Sequence, residues 1–389
     1  MGFFGVPNIG DELLCTVETR WLLRHGFTRV WVHTRSAKVS RNYSELPGPF
    51  AEGFFPGPEH LSNLGKHIRS VRDSRFVWVG GGGLLGDRYS WASVPRYAFP
   101  CVLAILLNRP YSLVGIGALP IRRWWLRPLA KLICRDARVA ICRDLTSAER
   151  VGQLGERTDI RVAPDLGHLV SDLPMFQGRA LPGDYAVVNL RSDPAVPLAQ
   201  VQVLCEEIGK VVGTVVLLSA EAADSLYYRQ VVSTLPKQLR ARIRVEEPPS
   251  LSAAVELVAQ AKYVAAVRLH VNLLALHAGR PLLSILYEGK VRRLHETMGD
   301  RALCCELDGV SRPLVRALLT RKSLPCSADL QRQGKRADVS LRAAILGRSL
   351  QRYSTWSRVS AVFWLAAMLF TEIVYAALVS LKRDFFGRR

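Results

Sequence analysis

Arg268 and His270 stand two residues apart in Val267-Arg268-Leu269-His270, where an apolar run gives way to a helical pattern that stops at Gly279. A guanidinium binds anions and an imidazole moves protons near neutral pH, so this strand-to-helix junction pairs anion capture with acid–base chemistry. One strand–helix unit later, Tyr287-Glu288-Gly289-Lys290 repeats the arrangement. Helix N-termini leave backbone N–H groups unpaired, so two such junctions side by side would gather Arg268, His270, Lys290 and free donors into one anion site. Arg191 closes an earlier strand-like run, 185–190, and is placed to join them. His277 falls inside an apolar helical stretch and reads as packing.

Four other turns carry polar groups at the same kind of junction. Asn8-Ile9-Gly10-Asp11-Glu12 opens the first helix. Gly10 allows close backbone approach, and Asp11 reads as a helix cap or, with Asn8, as a binder of sugar hydroxyls. Gly80-Gly81-Gly82-Gly83-Leu84-Leu85-Gly86-Asp87 follows the strand-like run 76–79 and reads as a loop whose N–H groups line a ligand. It is neither a dinucleotide fingerprint nor a P-loop, since no Lys-Ser/Thr follows. Arg143-Asp144, with Ser147, opens another helix, where Asp144 or Ser147 stabilises the N-terminus and Arg143 is a further candidate to face a cleft. Asp165, after Pro164, either accepts a hydrogen bond from a substrate hydroxyl or braces a hinge between domains.

Positioning these turns requires strands that end in one place, and the chain supplies them. Strand-like runs at 28–33, 76–79, 111–115, 137–142 and 160–163 alternate with helical patterns, the first of them at 11–25. After a Pro- and Gly-rich break at 172–183, the alternation restarts with strands at 185–190, 214–219, 242–245, 263–267 and 282–286 and helices such as 198–212 and 251–261. Two such blocks predict an α/β protein of two Rossmann-like, doubly wound domains facing a cleft, with ligands outside the carboxyl ends of the strands. Only Met1 to Val6 precede the Asn8 turn, too few for a full first strand.

The segment from 311 on breaks the pattern. Between Arg312 and Arg358 eleven Lys or Arg face only Asp329 and Asp338, and 359–381 follows with Ser360, Thr371, Glu372 and Ser380 as its only polar residues. Its length matches the roughly 20 residues of a membrane span, though Glu372 would be costly in hydrocarbon. The competing reading is a C-terminal helix buried across the two domains. A net charge of +20 fits an anionic membrane or a small polyanion. Nucleic acid is disfavoured because no zinc finger or RNA-recognition signature is present. The eight cysteines form no C-x-x-C, which argues against a metal ribbon, and no signal-peptide pattern opens the chain, so a reducing cytoplasm is expected.

In this order and spacing, the motifs resemble the polysaccharide pyruvyl transferase family. The matching pieces are Asn8-Ile9-Gly10-Asp11-Glu12, Gly81-Gly82-Gly83-Leu84, Arg143-Asp144-Leu145-Thr146-Ser147, Pro164-Asp165, and Arg268-Leu269-His270 through Ala278-Gly279-Arg280-Pro281 to Tyr287-Glu288-Gly289-Lys290. The resemblance implies a GT-B fold, phosphoenolpyruvate as co-substrate with no separate cofactor or metal, and a glycan or lipid-linked oligosaccharide as acceptor. On it, 1–175 becomes the acceptor-side domain and 180–310 the donor-side domain; 311–389, which the motifs do not reach, reads from its charge and hydropathy as a basic helical extension whose apolar stretch 359–381 spans a membrane, lies along its cytoplasmic face, or packs across the domains. His270 and Arg268 take catalytic roles, with Arg191, Leu269, Glu288 and Lys290 on the donor. Asn8, Gly10, Asp11, Gly81, Gly82, Gly83, Asp87 and Asp165 fall on the acceptor side. The rivals are a GT-B nucleotide-sugar glycosyltransferase and a non-catalytic scaffold in polysaccharide assembly.

Overall fold

Strand–helix alternation becomes three parallel sheets in the computed structural model, which describes residues 4–53, 56–88, 90–155, 158–173, 176, 183–193, 195–287, 289–298, 302–323, 328–346 and 353–386. The first unit runs α1 (Ile9–Arg24), β1 (Val32–Thr34), α2 (Ala37–Asn42), β2 (Phe50–Glu52), α3 (Pro58–Ser62), α4 (Leu64–Arg72), β3 (Val77–Leu85), α5 (Ser93–Leu106), β4 (Tyr111–Ala118), α6 (Arg127–Arg135), β5 (Val139–Cys142), α7 (Leu145–Leu154) and β6 (Asp159–Val162). Strands β3-β4-β5-β6 pair in that order, and β1-β2 form a separate parallel pair. Helices cover both faces of such a sheet, which is why β4 and β5 are buried along their whole length.

The second unit runs β7 (Tyr185–Asn189), α8 (Leu198–Gly209), β8 (Thr214–Leu218), α9 (Ala222–Thr234), α10 (Lys237–Arg240), β9 (Ile243–Glu246), α11 (Leu251–Ala259), β10 (Tyr263–Ala266), α12 (Leu269–His277), β11 (Leu282–Leu286), α13 (Gly289–Met298) and β12 (Leu303–Glu306). Its sheet has the order β12-β11-β10-β7-β8-β9. The chain winds outward from β7 in one direction and then from β10 in the other, so the order reverses between them. A crevice opens at their carboxyl ends, where Arg191 and Arg268 follow.

Two strand readings change on the structure. The glycines 80–83 are not a loop: β3 continues through them to Leu85. The reason is crowding, since a Cβ on Gly80 would lie 1.8 Å from the Val114 carbonyl oxygen and one on Gly81 2.5 Å from Glu18 Oε1 on α1. The run 28–33 yields only the short β1. Among the described residues no strand pairs with the edge of β3 away from β4, and a cavity of about 90 Å³ lies between β1 and β3, lined by Phe4, Trp31, Val32, Val77 and Trp78. Phe4 accepts a backbone hydrogen bond from Arg35 N at 2.8 Å, at the carboxyl end of β1.

The chain then returns to the first unit. After α14 (Arg312–Leu319), α15 (Ala328–Leu346) packs on the 3-10 turn Leu166–Asp172 and on β5, and α16 (Thr355–Phe386) packs along α5, α3 and α6. Helix α16 satisfies half of each reading of the tail. Ala361, Met368 and Glu372 are buried on one face, while Phe363 and Phe370 stand exposed on the other. Thr355–Val379 is long and apolar enough to cross a membrane, with mean hydropathy 2.0.

Glu372 is buried because His60 receives it: His60 Nδ1 lies 2.6 Å from its Oε1. Behind that pair, His67 Nδ1 lies 3.0 Å from His33 Nδ1. Burial drives the pKa of His33 well down and that of His67 to about 4, with neighbouring imidazoles adding to the effect, so both rings are neutral at physiological pH. Removing one partner of a buried pair strands the other, so Glu372→Ala should cost about 3 kcal/mol. Urea unfolding checks this, with Glu372→Gln recovering most of the loss; an unchanged midpoint for Glu372→Ala would refute the latch.

Candidate functional site

Asn8 rather than Asp11 caps α1. Its Oδ1 accepts from Gly10 N at 3.0 Å and Asp11 N at 3.4 Å, and its Nδ2 donates to Glu221 Oε2 at 3.2 Å across the cleft. Ile9 N also crosses, donating to the Ala220 carbonyl at 3.1 Å. The first turn of α1 is therefore fixed to the second unit, with Asp11 left to line the cleft. Burial pushes the Asp11 carboxyl up to about 6, against the charges of His270 and Lys290 that pull it down.

His270 sits in the first turn of α12, and its ring is enclosed by backbone. A Cβ on Gly10 would fall 2.3 Å from its Nδ1, and one on Gly167 would fall 3.1 Å from its Cδ2. Its Nε2 lies 3.5 Å from Asp165 Oδ1, within ion-pair range, and that oxygen accepts from Gly167 N at 2.9 Å. Asp165 Oδ2 lies 3.7 Å from Arg143 Nη1. Burial alone would raise the Asp165 carboxyl, but His270, Arg143 and the Gly167 N–H together hold it below the usual carboxylate range. Asp165 is thus an ionised partner of the imidazole, contributed by the first unit to a histidine of the second.

The cleft itself is a cavity of about 750 Å³ rimmed by both units. Arg88, Arg96, Arg143, Arg150, Lys290 and Arg293 line it against the carboxylates of Asp11 and Asp144. That excess of cations favours an anionic ligand. Arg143 crosses the surface of β4, where a Cβ on Gly117 would fall 2.6 Å from its Nη2. Its Nε is buried without a hydrogen-bond partner. Lys290 lies in the first turn of α13, and Tyr287 joins it to Arg191: Lys290 Nζ is 5.7 Å and Arg191 Cζ 4.8 Å from the Tyr287 ring centre.

Several expected roles are corrected. The Arg268 guanidinium is clamped by Glu221 at 2.5 Å and Asp224 at 2.8 Å, so its charge is spent inside the protein rather than offered to a ligand. Those two carboxylates keep it protonated despite its burial. Leu269 is buried, and it lines a second cavity of about 460 Å³ together with Arg143, Asp165 and Lys290. Asp87 accepts from Arg122 N at 2.9 Å and Arg123 N at 2.8 Å, which makes it a loop brace instead of a sugar ligand. Gly81 faces α1 and Gly82 lies within β3 with φ of 106°, while Gly83 alone of the three lines the cleft. Glu288 lies outside the described residues.

The sequence reading missed Gly117, Gly167 and Arg293. Gly117 is the last residue but one of β4 and so had a signal in its position near a strand end. Arg293 had none, because its partner is remote in sequence, Arg293 Nη2 reaching Asp144 Oδ2 at 3.1 Å, and the His270 ring that packs on Gly167 is equally remote from it.

The family model for polysaccharide pyruvyl transferase matches residues 8–289. No curated protein matches the chain in sequence. Among solved structures, a UDP-N-acetylglucosamine 2-epimerase superposes with TM-score 0.60 at 12% identity, covering 91% of this chain and 98% of that one. The UDP-GlcNAc 2-epimerase from Methanocaldococcus jannaschii gives 0.57 at 14%, covering 89% and 100%. The one from Neisseria meningitidis bound to UDP-GlcNAc gives 0.51 at 11%, covering 94% and 99%. These likenesses show the fold, two Rossmann-like units of GT-B type.

Gly10 has the backbone of an ordinary helical residue, so Gly10→Ala should fold while its methyl group displaces the imidazole. A misplacement of that size should lower turnover about 100-fold. Activity and circular dichroism measured on the same sample check this; full activity would mean that the ring does not need its place.

Proposed function

The chain belongs to the polysaccharide pyruvyl transferase family, and on that footing we propose that it moves the pyruvyl group of phosphoenolpyruvate onto a sugar of a surface polysaccharide or its lipid-linked precursor, as a cyclic ketal. The observation that carries this reading is the Asp165–His270 pair beside a cleft with six cationic side chains and two carboxylates. Phosphoenolpyruvate brings a phosphate and a carboxylate, which Arg143, Lys290 and Arg191 hold together with the N–H groups opening α13.

His270, with Asp165 as its anionic partner, is the general acid that protonates the methylene carbon. The adjacent carbon then accepts a sugar hydroxyl, whose proton passes to Asp11. The C–O bond to phosphate breaks, a second hydroxyl closes the ketal, and its proton leaves with the departing phosphate. The cleft cations stabilise charge on that phosphate as it develops. Arg268 positions the start of α12 through Glu221 and Asp224 and touches no substrate. Asn8 and Gly83 border the acceptor side, and α16 brings the enzyme to an anionic membrane at the cytoplasmic face, where a lipid-linked acceptor resides.

The fold neighbours include a protein bound to UDP-GlcNAc, which gives the nucleotide-sugar glycosyltransferase reading its footing. Calorimetric titration with phosphoenolpyruvate and with UDP-sugars separates the two, and saturable binding of the UDP-sugar alone would overturn the pyruvyl reading. His270→Ala should lower ketal formation by about 1,000-fold with phosphoenolpyruvate binding retained. Turnover within a few-fold of the parent would remove His270 from the acid's role, and binding without turnover in the parent would favour the scaffold.

Asp11 sets a pH dependence. Its carboxylate accepts a proton only when ionised, and with the pKa near 6 the ionised fraction rises through that pH. Activity should therefore fall as pH drops below about 6, and Asp11→Asn should be slow without that acid limb. A pH profile of kcat/KM for both proteins checks it; a variant that keeps the limb would reassign the base.

A further inference from the structure

The outer face of α16 and a tryptophan turn on the rim of the first unit take no part in the chemistry above. Val359, Val362, Phe363, Phe370, Ile373 and Leu378 are each more than half exposed. Between 359 and 379 the only charged side chain is Glu372, and it is turned inward onto His60. The exposed stripe is consequently uncharged for about 30 Å of helix. Surfaces of that size on a folded protein mark a lipid or protein contact.

The tryptophan turn is the second element. Trp124 is 77% exposed and Trp125 39%, and Arg122, Arg123 and Arg127 flank them. Asp87 holds the turn by accepting the backbone N–H groups of Arg122 and Arg123. Tryptophan beside arginine is the composition that seats at the headgroup level of an anionic bilayer.

Helix direction ties both elements to the cleft. Tyr353 donates to the Arg109 carbonyl at 2.7 Å, beyond the carboxyl end of α5, whereas Glu372 has reached His60, whose ring lies 4.5 Å from Phe99. Helix α16 therefore runs antiparallel to α5, toward the end where Ser93 and Arg96 line the cleft. Helix α6 starts at the tryptophan turn and ends where Arg135 donates to Ser357 at 3.0 Å. Both elements thus border the same end of the unit.

We propose that α16 lies along an anionic bilayer rather than across it, its outer face sunk at the boundary of headgroups and acyl chains and the Trp124–Trp125 turn a second contact, so that the cleft rim meets the lipid surface. A crossing helix needs an apolar surface all round. Here the inner face is bound to α3, α5 and α6, whose unit carries polar surface that cannot enter hydrocarbon. The inference rests on the membrane contact read above and adds its geometry.

The full-length protein is floated with vesicles of phosphatidylcholine alone and with about 30% phosphatidylglycerol. It should float with the anionic vesicles, and Phe363→Asp/Phe370→Asp should float about tenfold less, with unchanged circular dichroism since both rings are exposed. A protease-sensitive tag after Arg389 should be cut in cytoplasmic-side-out vesicles, on the same side as the globular units. A protected tag would establish a span and overturn the in-plane placement. No flotation, or a double variant that floats like the parent, would also overturn it, as would a lipid-free dimer that the double variant dissolves. Lost transferase activity with flotation intact would strike the donor chemistry alone.

Discussion

An imidazole held between two glycine backbones, facing a carboxylate from the other half of the molecule, is the contact on which the site depends. His270 comes from the second unit, while Gly10, Gly167 and Asp165 come from the first. The pair exists only while the units keep their present spacing. That spacing is held by Ile9 donating to Ala220 and Asn8 donating to Glu221, both at the opening of α1. The Asn8 turn is thus as much a clasp between units as a place for a sugar, and any widening of the crevice would separate the acid from its partner before it moved any ligand.

Charge in the cleft is distributed by what each cation has already paired with. Arg268 sits at the switch point of the larger sheet, yet Glu221 and Asp224 neutralise it and make it part of the scaffold. The cations that line the crevice are instead Arg88, Arg96, Arg143, Arg150, Lys290 and Arg293, of which Arg143 and Arg293 also face Asp165 and Asp144. A dianionic ligand would lie between the units, its charge balancing groups from each. Such a ligand would oppose separation of the units as well as occupy the site.

Much of this was legible in the sequence because strand ends in parallel sheets are ligand-facing by topology. The junctions at Arg143, Asp165, Arg191, His270 and Lys290 follow from where apolar runs stop. What the sequence concealed was pairing across distance. Nothing near Arg268 announces Glu221 and Asp224, 47 and 44 residues away. The glycines 80–83 carry the composition of a phosphate loop, but Gly80 and Gly81 serve the close passage of β4 and α1, a demand visible only once those elements are in place. Asp87 follows them and inherits the same misreading. In α16, length and hydropathy describe a span, while the inward turn of Glu372 depends on His60, 312 residues away.

The gap beside β3 has a consequence for how the protein behaves outside its site. Among the described residues no strand covers the edges of β1 and β3 that face each other across the small cavity lined by Trp31, Val32, Val77 and Trp78. A void of that kind costs stability, because the atoms lining it lack contacts on one side. Filling it with larger side chains is therefore a route to a more stable first unit that leaves the cleft residues untouched.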